Sequence, residues 1–152
     1  MTRDVGAGLR AGPENDMLPE KIHLEIVTPS RRVLVRDVDE VVLPGIEGSF
    51  GVLPGHAPML AGLQCGVAEV RAGNEREILA IGAGIAEVGP DRVTVLAETA
   101  EKAAEIDSER ARRKAIEYQE QLKRELSETD VEVVRFKIEK HLARVSARER
   151  AS

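Results

Sequence analysis

Hydrophobic and polar residues alternate with a period of two along the first two thirds of the chain. The alternation starts with Ile22, Leu24 and Ile26, which are separated by charged or polar residues. Such alternation indicates a strand with one buried face. Glycine- or proline-containing turns separate the further runs, which cover residues 33–35, 38–43, 59–63, 67–72, 77–81, 85–88 and 92–97. This spacing of turns predicts an antiparallel β-sandwich of eight or more strands.

The pattern changes at Glu98, since residues 98–126 contain no glycine or proline and are rich in good helix formers. One apolar stripe follows a helical spacing through Ala111, Ala115, Tyr118, Leu122 and Leu126. A second helix is predicted to begin with a capping box of Thr129 and Glu132. Its stripe consists of Val131, Val134, Ile138, Leu142 and Val145.

Two amphipathic helices with so short a connection are expected to form an antiparallel hairpin. The predicted fold class is therefore mainly β plus α, with a disordered leader over residues 1–20, a sandwich over 21–100 and a helical hairpin over 101–152. The seam between the helices is thin and alanine-rich, so burying it offsets little more than the entropy cost of ordering the pair. We expect a hairpin that opens when a partner offers a better surface.

Composition excludes several classes of function. The chain has two Phe, one Tyr and no Trp, which disfavours a nucleic-acid reader that stacks bases on aromatic side chains. The net charge is −5, yet the last twenty residues hold six basic and two acidic side chains. This basic end indicates an acidic partner surface or a polyanion, although a solvated helix face has the same appearance.

The single cysteine, Cys65, cannot form an internal disulfide, which fits a reducing compartment. No apolar run approaches the ~18 residues of a membrane-spanning helix, and no signal-peptide pattern is recognisable. We therefore expect a cytoplasmic protein that reaches a membrane only through a partner.

The sequence carries no recognisable catalytic or metal-binding motif. Phosphate loops, nucleophile elbows and paired cysteines are all missing, and His23, His56 and His141 are widely separated. A nucleophile at Cys65 with His56 as its base would lack a third orienting group, so Cys65 is interpreted as a packing residue. We predict no catalytic residues and no metal site.

Two other stretches are candidates for binding. Residues 45–58 contain four glycines and two prolines, which predicts a rigid loop that presents Glu47, Ser49 and His56 to a partner. Near the first helix, Asp107 and Arg110 have two interpretations. Asp107 either caps the helix, with Arg110 solvated, or both residues share a face that accepts a base or ribose and meets a phosphate.

The chain from about residue 21 onwards resembles the epsilon subunit of bacterial and chloroplast F-type ATP synthases. The most specific similarity is Gly51-Val52-Leu53-Pro54-Gly55-His56-Ala57-Pro58. It is accompanied by Ile26-Val27-Thr28-Pro29, the preceding residues 47–50, residues 82–88 and Arg92-Val93-Thr94-Val95-Leu96-Ala97.

This resemblance implies a ten-stranded sandwich, a helical hairpin and a role in the central rotor stalk of a proton-translocating enzyme. The sandwich would bind the gamma subunit and rest on the ring of membrane c subunits, at the cytoplasmic face of the membrane. The hairpin would fold against the sandwich or extend towards the alpha and beta subunits and inhibit ATP hydrolysis. The chain itself would not hydrolyse ATP, would require no cofactor and would not bind nucleic acid.

Site residues follow from the same resemblance. Glu47, Ser49 and His56 match the edge that faces the c-ring, where family members often carry an acidic residue in place of Ser49. A nucleotide site known in some epsilon subunits matches Glu101, Ile106, Asp107, Arg110, Ala111, Lys140 and Arg144. Lys140 stands where an arginine is usual, and Glu117 replaces a basic residue, so we expect ATP to be at most a weak regulatory ligand. The basic face that would reach the beta subunits consists of Arg135, Lys137, Lys140, Arg144 and Arg148.

An alternative function stays open at this point. The chain could act as a stand-alone ATP-sensing module whose hairpin closes on nucleotide.

Overall fold

The computed structural model describes residues 19–151, so that almost all of the predicted leader lies outside it. Ten strands are followed by a 3-10 turn, Ala103–Glu105, and by two helices, α1 (Ser108–Gln121) and α2 (Glu128–Ala151). The strands are β1 Ile22–Val27, β2 Arg32–Val38, β3 Glu40–Gly45, β4 Gly48–Val52, β5 Met59–Leu63, β6 Gly66–Ala72, β7 Glu75–Ile81, β8 Gly84–Val88, β9 Arg92–Ala97 and β10 Ala100–Lys102.

The strands form one continuous sheet that closes on a shared core. Their order is β10-β7-β6-β3-β5-β8-β9-β1-β2, and β4 pairs with β3 beside this path. The pairs are antiparallel except for β1 with β9. One half of the sheet runs from β10 to β3 and the other from β5 to β2 in this order. They are joined where Gly45 of β3 pairs with Leu63 of β5. The fold thus has the predicted class, a mainly antiparallel sandwich followed by two helices.

Alternation along the strands is what builds the core. Ile22, Leu24 and Ile26 of β1 are completely buried, as their period-two spacing predicts. The paired strands β8 and β9 approach each other so closely at Gly84 that a Cβ on this residue would lie 2.1 Å from the Leu96 carbonyl oxygen. A glycine is therefore required at this position, because any side chain would collide with the backbone.

The helical region differs from the sequence prediction in three places. The segment after Glu98 is not helical, because Ala100–Lys102 pairs with the edge of β7 and satisfies backbone groups there. The capping box at Thr129 is wrong, since Ser127 Oγ accepts from the Asp130 amide and the helix already begins at Glu128. Leu142 is 46% exposed, while Ala143 beside it is buried.

Helix α2 packs on the outer face of β6 and β7 as well as on α1. Val67 of β6 and Ile78 and Ala80 of β7 form a small second core with Ala147 of α2. The cluster is completed by Ala103 and Ile106, which precede α1 in the chain. The hairpin is therefore docked on the sandwich through a small apolar cluster, to which α2 contributes an alanine.

Candidate functional site

A polar cleft of about 370 Å³ opens where α2 meets the sandwich. It lies beside the β1–β2 loop and the segment that leads into β10, and it holds three of the residues predicted to bind nucleotide, Glu101, Lys140 and Arg144. Its remaining lining residues are Thr28, Ser30, Arg31, Glu98, Thr99 and Ala100. The cleft therefore joins groups from the sandwich and the hairpin.

An ion pair between Arg144 and Glu101 links α2 to β10 across this cleft. Arg144 Nη2 donates to Glu101 Oε1 at 3.2 Å, and Nε lies 2.8 Å from Oε2. The Nε–H is not aligned with the carboxylate, so within residues 19–151 this buried atom has no hydrogen-bond partner. The side chains are 17% and 30% exposed, respectively, which shields the pair from solvent more than the other ion pairs of the helices.

The same arginine also contacts the seam between the helices. Its Nη1 donates to His141 Nδ1 at 3.3 Å. The His141 ring stacks on Tyr118 of α1, with ring centroids 5.8 Å apart and planes 17° from parallel. The Lys137 ammonium lies 5.3 Å from the centroid of the Tyr118 ring. These contacts hold α1, α2 and β10 together through one chain of side chains.

The other predicted nucleotide-site residues lie elsewhere. Asp107 caps α1, since its Oδ1 accepts from the Arg110 amide at 3.1 Å, and the Arg110 side chain is exposed. Neither residue is among those that line the cleft. Ile106 and Ala111 are buried packing residues. The structure thus realises the capping interpretation of Asp107, and the predicted set of seven residues is divided between the cleft, the start of α1 and the core.

The predicted partner-facing stretch is divided between the β3–β4 turn, strand β4 and the loop that follows it. Glu47 lies in the tight turn between β3 and β4, and Ser49 follows on β4; both are exposed. Gly48 adopts φ 128°, which requires glycine at this turn. His56 is half-buried, and its Nδ1 lies 2.7 Å from the Ala57 carbonyl oxygen, which it can only contact as a donor. Glu47 and Ser49 line a groove of about 510 Å³ together with residues 59–62.

An apolar groove of about 480 Å³ on the outer face of the sandwich was not predicted from the sequence. Ile85 of β8 and Leu96 of β9 are paired across the strands and are 47% and 55% exposed. Val27 of β1 pairs with Leu96 on the other side and continues the groove. Each of these residues has an apolar side chain at an outward position where the alternation predicts a polar one. This departure from the pattern is the sequence signal from which the groove could have been predicted.

The five residues of the predicted basic face are distributed over two environments. Lys140 and Arg144 face the polar cleft, and Arg144 is engaged by Glu101. Arg135, Lys137 and Arg148 are exposed. In the docked hairpin these five groups therefore do not form one continuous charged surface.

Cys65 lies half-buried in a separate cleft under α2, where burial raises the pKa of its thiol. His56 does not line that cleft. Over residues 19–151 no three His, Cys, Asp or Glu side chains are grouped in a way that could hold a metal ion. Neither helix in the described part of the chain is long and apolar enough to cross a membrane.

Residues 21–103 match the family model described as the β-sandwich domain of the ATP synthase delta/epsilon chain. The chain belongs to the ATP synthase epsilon chain family. It is 50% identical over 112 residues to the ATP synthase epsilon chain of Syntrophobacter fumaroxidans, which covers 74% of this chain and 81% of that one. Identity to the epsilon chain of Nitratidesulfovibrio vulgaris (strain DP4) is 39% over 131 residues, with 86% and 98% covered.

Two solved structures share the fold. A chain in the Euglena gracilis mitochondrial ATP synthase OSCP/F1/c-ring assembly aligns with TM-score 0.76 at 23% identity and covers 91% of this chain and 90% of that one. A chain in the Tetrahymena thermophila mitochondrial ATP synthase central stalk and c-ring aligns with TM-score 0.57 at 14% identity, with 86% and 96% covered. The sequence-based family assignment is confirmed. As an epsilon chain the protein is a non-catalytic subunit of the ATP synthase complex, which excludes the enzyme hypothesis for Cys65 and His56.

The Arg144–Glu101 pair is expected to contribute measurably to docking of the hairpin. In a double-mutant cycle of Glu101→Gln and Arg144→Met, we expect a coupling free energy of about 1 kcal/mol, because both groups are largely shielded from solvent. The measurement is the opening free energy of α2 from hydrogen exchange of its amides. The matched control is the exposed pair Arg112–Glu149, which joins α1 to α2 at 3.2 Å and should give about 0.3 kcal/mol. Equal coupling in both cycles would contradict this role.

Proposed function

We propose that this chain is a central-stalk subunit of a proton-translocating F-type ATP synthase, which couples the c-ring to the gamma subunit and inhibits ATP hydrolysis through a mobile hairpin. The observation that carries the proposal is the contrast between the two parts of the chain. The family sandwich is closed around a large apolar core, whereas the contacts of the hairpin with the sandwich include a small apolar cluster, the Arg144–Glu101 ion pair and a hydrogen bond from Arg76 to the Arg150 carbonyl. A rigid part suits mechanical coupling, and a weakly held part suits regulation.

The two outer surfaces of the sandwich have the character that two partners require. The apolar groove at Ile85 and Leu96 offers a hydrophobic centre of the kind found in stable subunit contacts, and we assign it to the gamma subunit. The loop with Glu47, Ser49 and His56 lies at another surface, and we assign it to the c-ring. The two solved structures described above, which share the fold, come from assemblies that contain a c-ring. Membrane contact would then be peripheral, at the cytoplasmic face, and made only through the complex.

Regulation would use the basic face of α2. Lys140 and Arg144 are directed to the cleft while the hairpin is docked. An extended hairpin would present them together with Arg135, Lys137 and Arg148 to an acidic surface of the alpha and beta subunits. Charge complementarity of this kind guides association as well as stabilising it. Docking of the hairpin would therefore withhold the inhibitory surface.

A second candidate, the stand-alone ATP sensor, is favoured by the polar cleft with its three cationic groups, Arg31, Lys140 and Arg144. Two observations weigh against tight nucleotide binding. Glu101 already neutralises Arg144, and Glu117 stands where the resemblance to nucleotide-binding epsilon subunits implies a basic residue. We therefore assign ATP as a weak regulatory ligand and require no cofactor.

Charged substitutions in the apolar groove are expected to prevent binding of the gamma subunit. Leu96→Asp and Ile85→Asp should each reduce co-purification with gamma at least tenfold, because the contact would bury a carboxylate without a partner. The measurement is the amount of gamma subunit recovered with tagged epsilon chain. Val133→Asp is the control, since Val133 is comparably exposed but lies on α2, and it should retain the complex. Full recovery with both groove variants would contradict the assignment.

Removal of the hairpin is expected to activate hydrolysis. A chain truncated after Ala104 should still assemble, because the strands and their core are complete by Lys102. The ATPase activity of the complex should rise by several-fold, since the inhibitory element is gone. Steady-state hydrolysis by matched full-length and truncated complexes tests this. Unchanged rates in a fully assembled complex would show that the hairpin does not inhibit.

Calorimetric titration of the purified chain with ATP is expected to show binding in the millimolar range or none. Glu117→Arg should tighten binding about tenfold, because it replaces a repulsive charge by an attractive one. Glu132→Arg makes the same change of charge at an exposed position of α2 and should leave the affinity unchanged. Micromolar affinity in the unaltered chain would favour the ATP-sensing hypothesis.

A further inference from the structure

His141 occupies the point at which both helices and the sandwich meet. Its ring stacks on Tyr118 of α1, and its Nδ1 accepts from Arg144, which in turn pairs with Glu101 of β10. The imidazole is therefore part of a continuous set of contacts from α1 to the sheet. No part of the proposed nucleotide or subunit contacts uses this residue.

The hydrogen bond from Arg144 fixes the protonation state that the docked hairpin accepts. A guanidinium can only donate, so Nδ1 must carry a free lone pair, and the proton of the neutral ring lies on Nε2. Protonation of Nδ1 would place two N–H donors and two positive charges 3.3 Å apart. The hydrogen bond would be lost and replaced by repulsion.

Most charged groups around the ring disfavour its protonation, and the one carboxylate among them opposes this. Helix α2 contributes Lys137, Lys140 and Arg144, and α1 contributes Lys114 beside the stacked Tyr118 ring. The sandwich contributes one carboxylate, Glu101, which Arg144 already engages. An imidazolium at this position would therefore add a further positive charge to a cluster of cations.

We propose that His141 is a proton-sensitive latch, which holds the hairpin closed while neutral and releases it when protonated. Protonation weakens the contact with Arg144, and through Arg144 the ion pair that links α2 to β10. Release of α2 uncovers Lys140 and Arg144. The proposal concerns closure of the hairpin; its effect on hydrolysis rests on the inhibitory function proposed above.

The direction of the pH dependence follows from the surroundings of the ring. Burial of His141, and then the charges of Arg144, Lys140 and Lys114, lower the pKa of the imidazole below its ordinary value of 6.5, while Glu101 partly opposes them. In an open hairpin the ring is solvated and its pKa returns to that ordinary value. The closed form is therefore fully stable above about pH 6.5, and it loses stability as the pH falls below that value towards the lowered pKa.

The decisive comparison is between the full chain and its His141→Gln variant. A glutamine amide oxygen still accepts from Arg144 but does not titrate, while His23 and His56 are unchanged in both proteins. The measurement is the opening equilibrium of α2 from hydrogen exchange of its amides between pH 7.5 and pH 5.5, corrected for the known pH dependence of intrinsic exchange. We expect opening in the unaltered chain to increase by up to about tenfold over this range, because only the one pH unit below the ordinary pKa of 6.5 contributes. The variant should show no such increase.

A His141→Lys variant provides the converse test, because it places a permanent charge beside Arg144. It should be as open at pH 7.5 as the unaltered chain is at pH 5.5, with the amides of β1 and β9 still protected to show that the sandwich is folded. Equal pH dependence in the unaltered and glutamine chains would overturn the latch. So would a lysine variant that stays closed at both values of pH while the sandwich is intact.

Assays on the assembled complex separate the latch from the inhibitory function. If both hold, acidification to pH 5.5 lowers hydrolysis in the complex with unaltered epsilon chain more than in the complex with His141→Gln. The complex that contains an epsilon chain truncated after Ala104 then gives the pH dependence of the catalytic sites alone. Opening of the hairpin without any difference in hydrolysis between the three complexes would retain the latch and overturn the inhibitory function.

Discussion

The apolar outer face of β6 and β7 is the constraint on which the arrangement of the whole chain depends. Most outer positions of the sandwich carry polar side chains, but Val67, Ile78 and Ala80 must be covered to be shielded from water. Helix α2 covers them, and because α2 also packs on α1, this patch determines where the entire hairpin lies. The cleft with Arg144 and Glu101 exists only because of that docking. The hairpin and the sandwich thus have one shared apolar boundary and one shared polar boundary.

The two boundaries differ in how strongly they depend on conditions. The apolar one contains only six buried side chains, to which the hairpin side contributes Ala103, Ile106 and Ala147, so the area that it buries is small. The polar one depends on charge states and on the exact positions of long side chains. The docked hairpin is therefore held by far less apolar burial than the sandwich, whose core between the two halves of the sheet is much larger. We therefore expect changes in solution conditions to undock the hairpin under milder conditions than those that unfold the sandwich.

The local pattern of apolar and polar residues was sufficient to predict the strands of the sandwich. It was insufficient to predict the contacts between the sandwich and the hairpin. Alternation identified the buried faces of β1 and β9, since each strand reports its own two faces. It could not identify β10, because Ala100–Lys102 has no strand pattern and pairs only since β7 presents an open edge. The stack of His141 on Tyr118 joins residues 23 positions apart on different helices, so no local spacing reveals it. The i, i+3 relation of His141 and Arg144 was the one signal within reach.

The way in which the two helices pack determines which end of α2 unfolds first. Arg112 contacts Glu149 and Tyr118 contacts His141, so α1 runs beside the C-terminal half of α2, which is also the half that packs on the sheet. The N-terminal turns of α2 are largely exposed, from Glu128 to Val133. Local unfolding therefore starts at the Glu128 end and meets its first strong resistance at the turns that hold Ile138 and His141. Fraying of the hairpin tip and departure of the hairpin from the sandwich are consequently two separate events, with separate energies and separate rates.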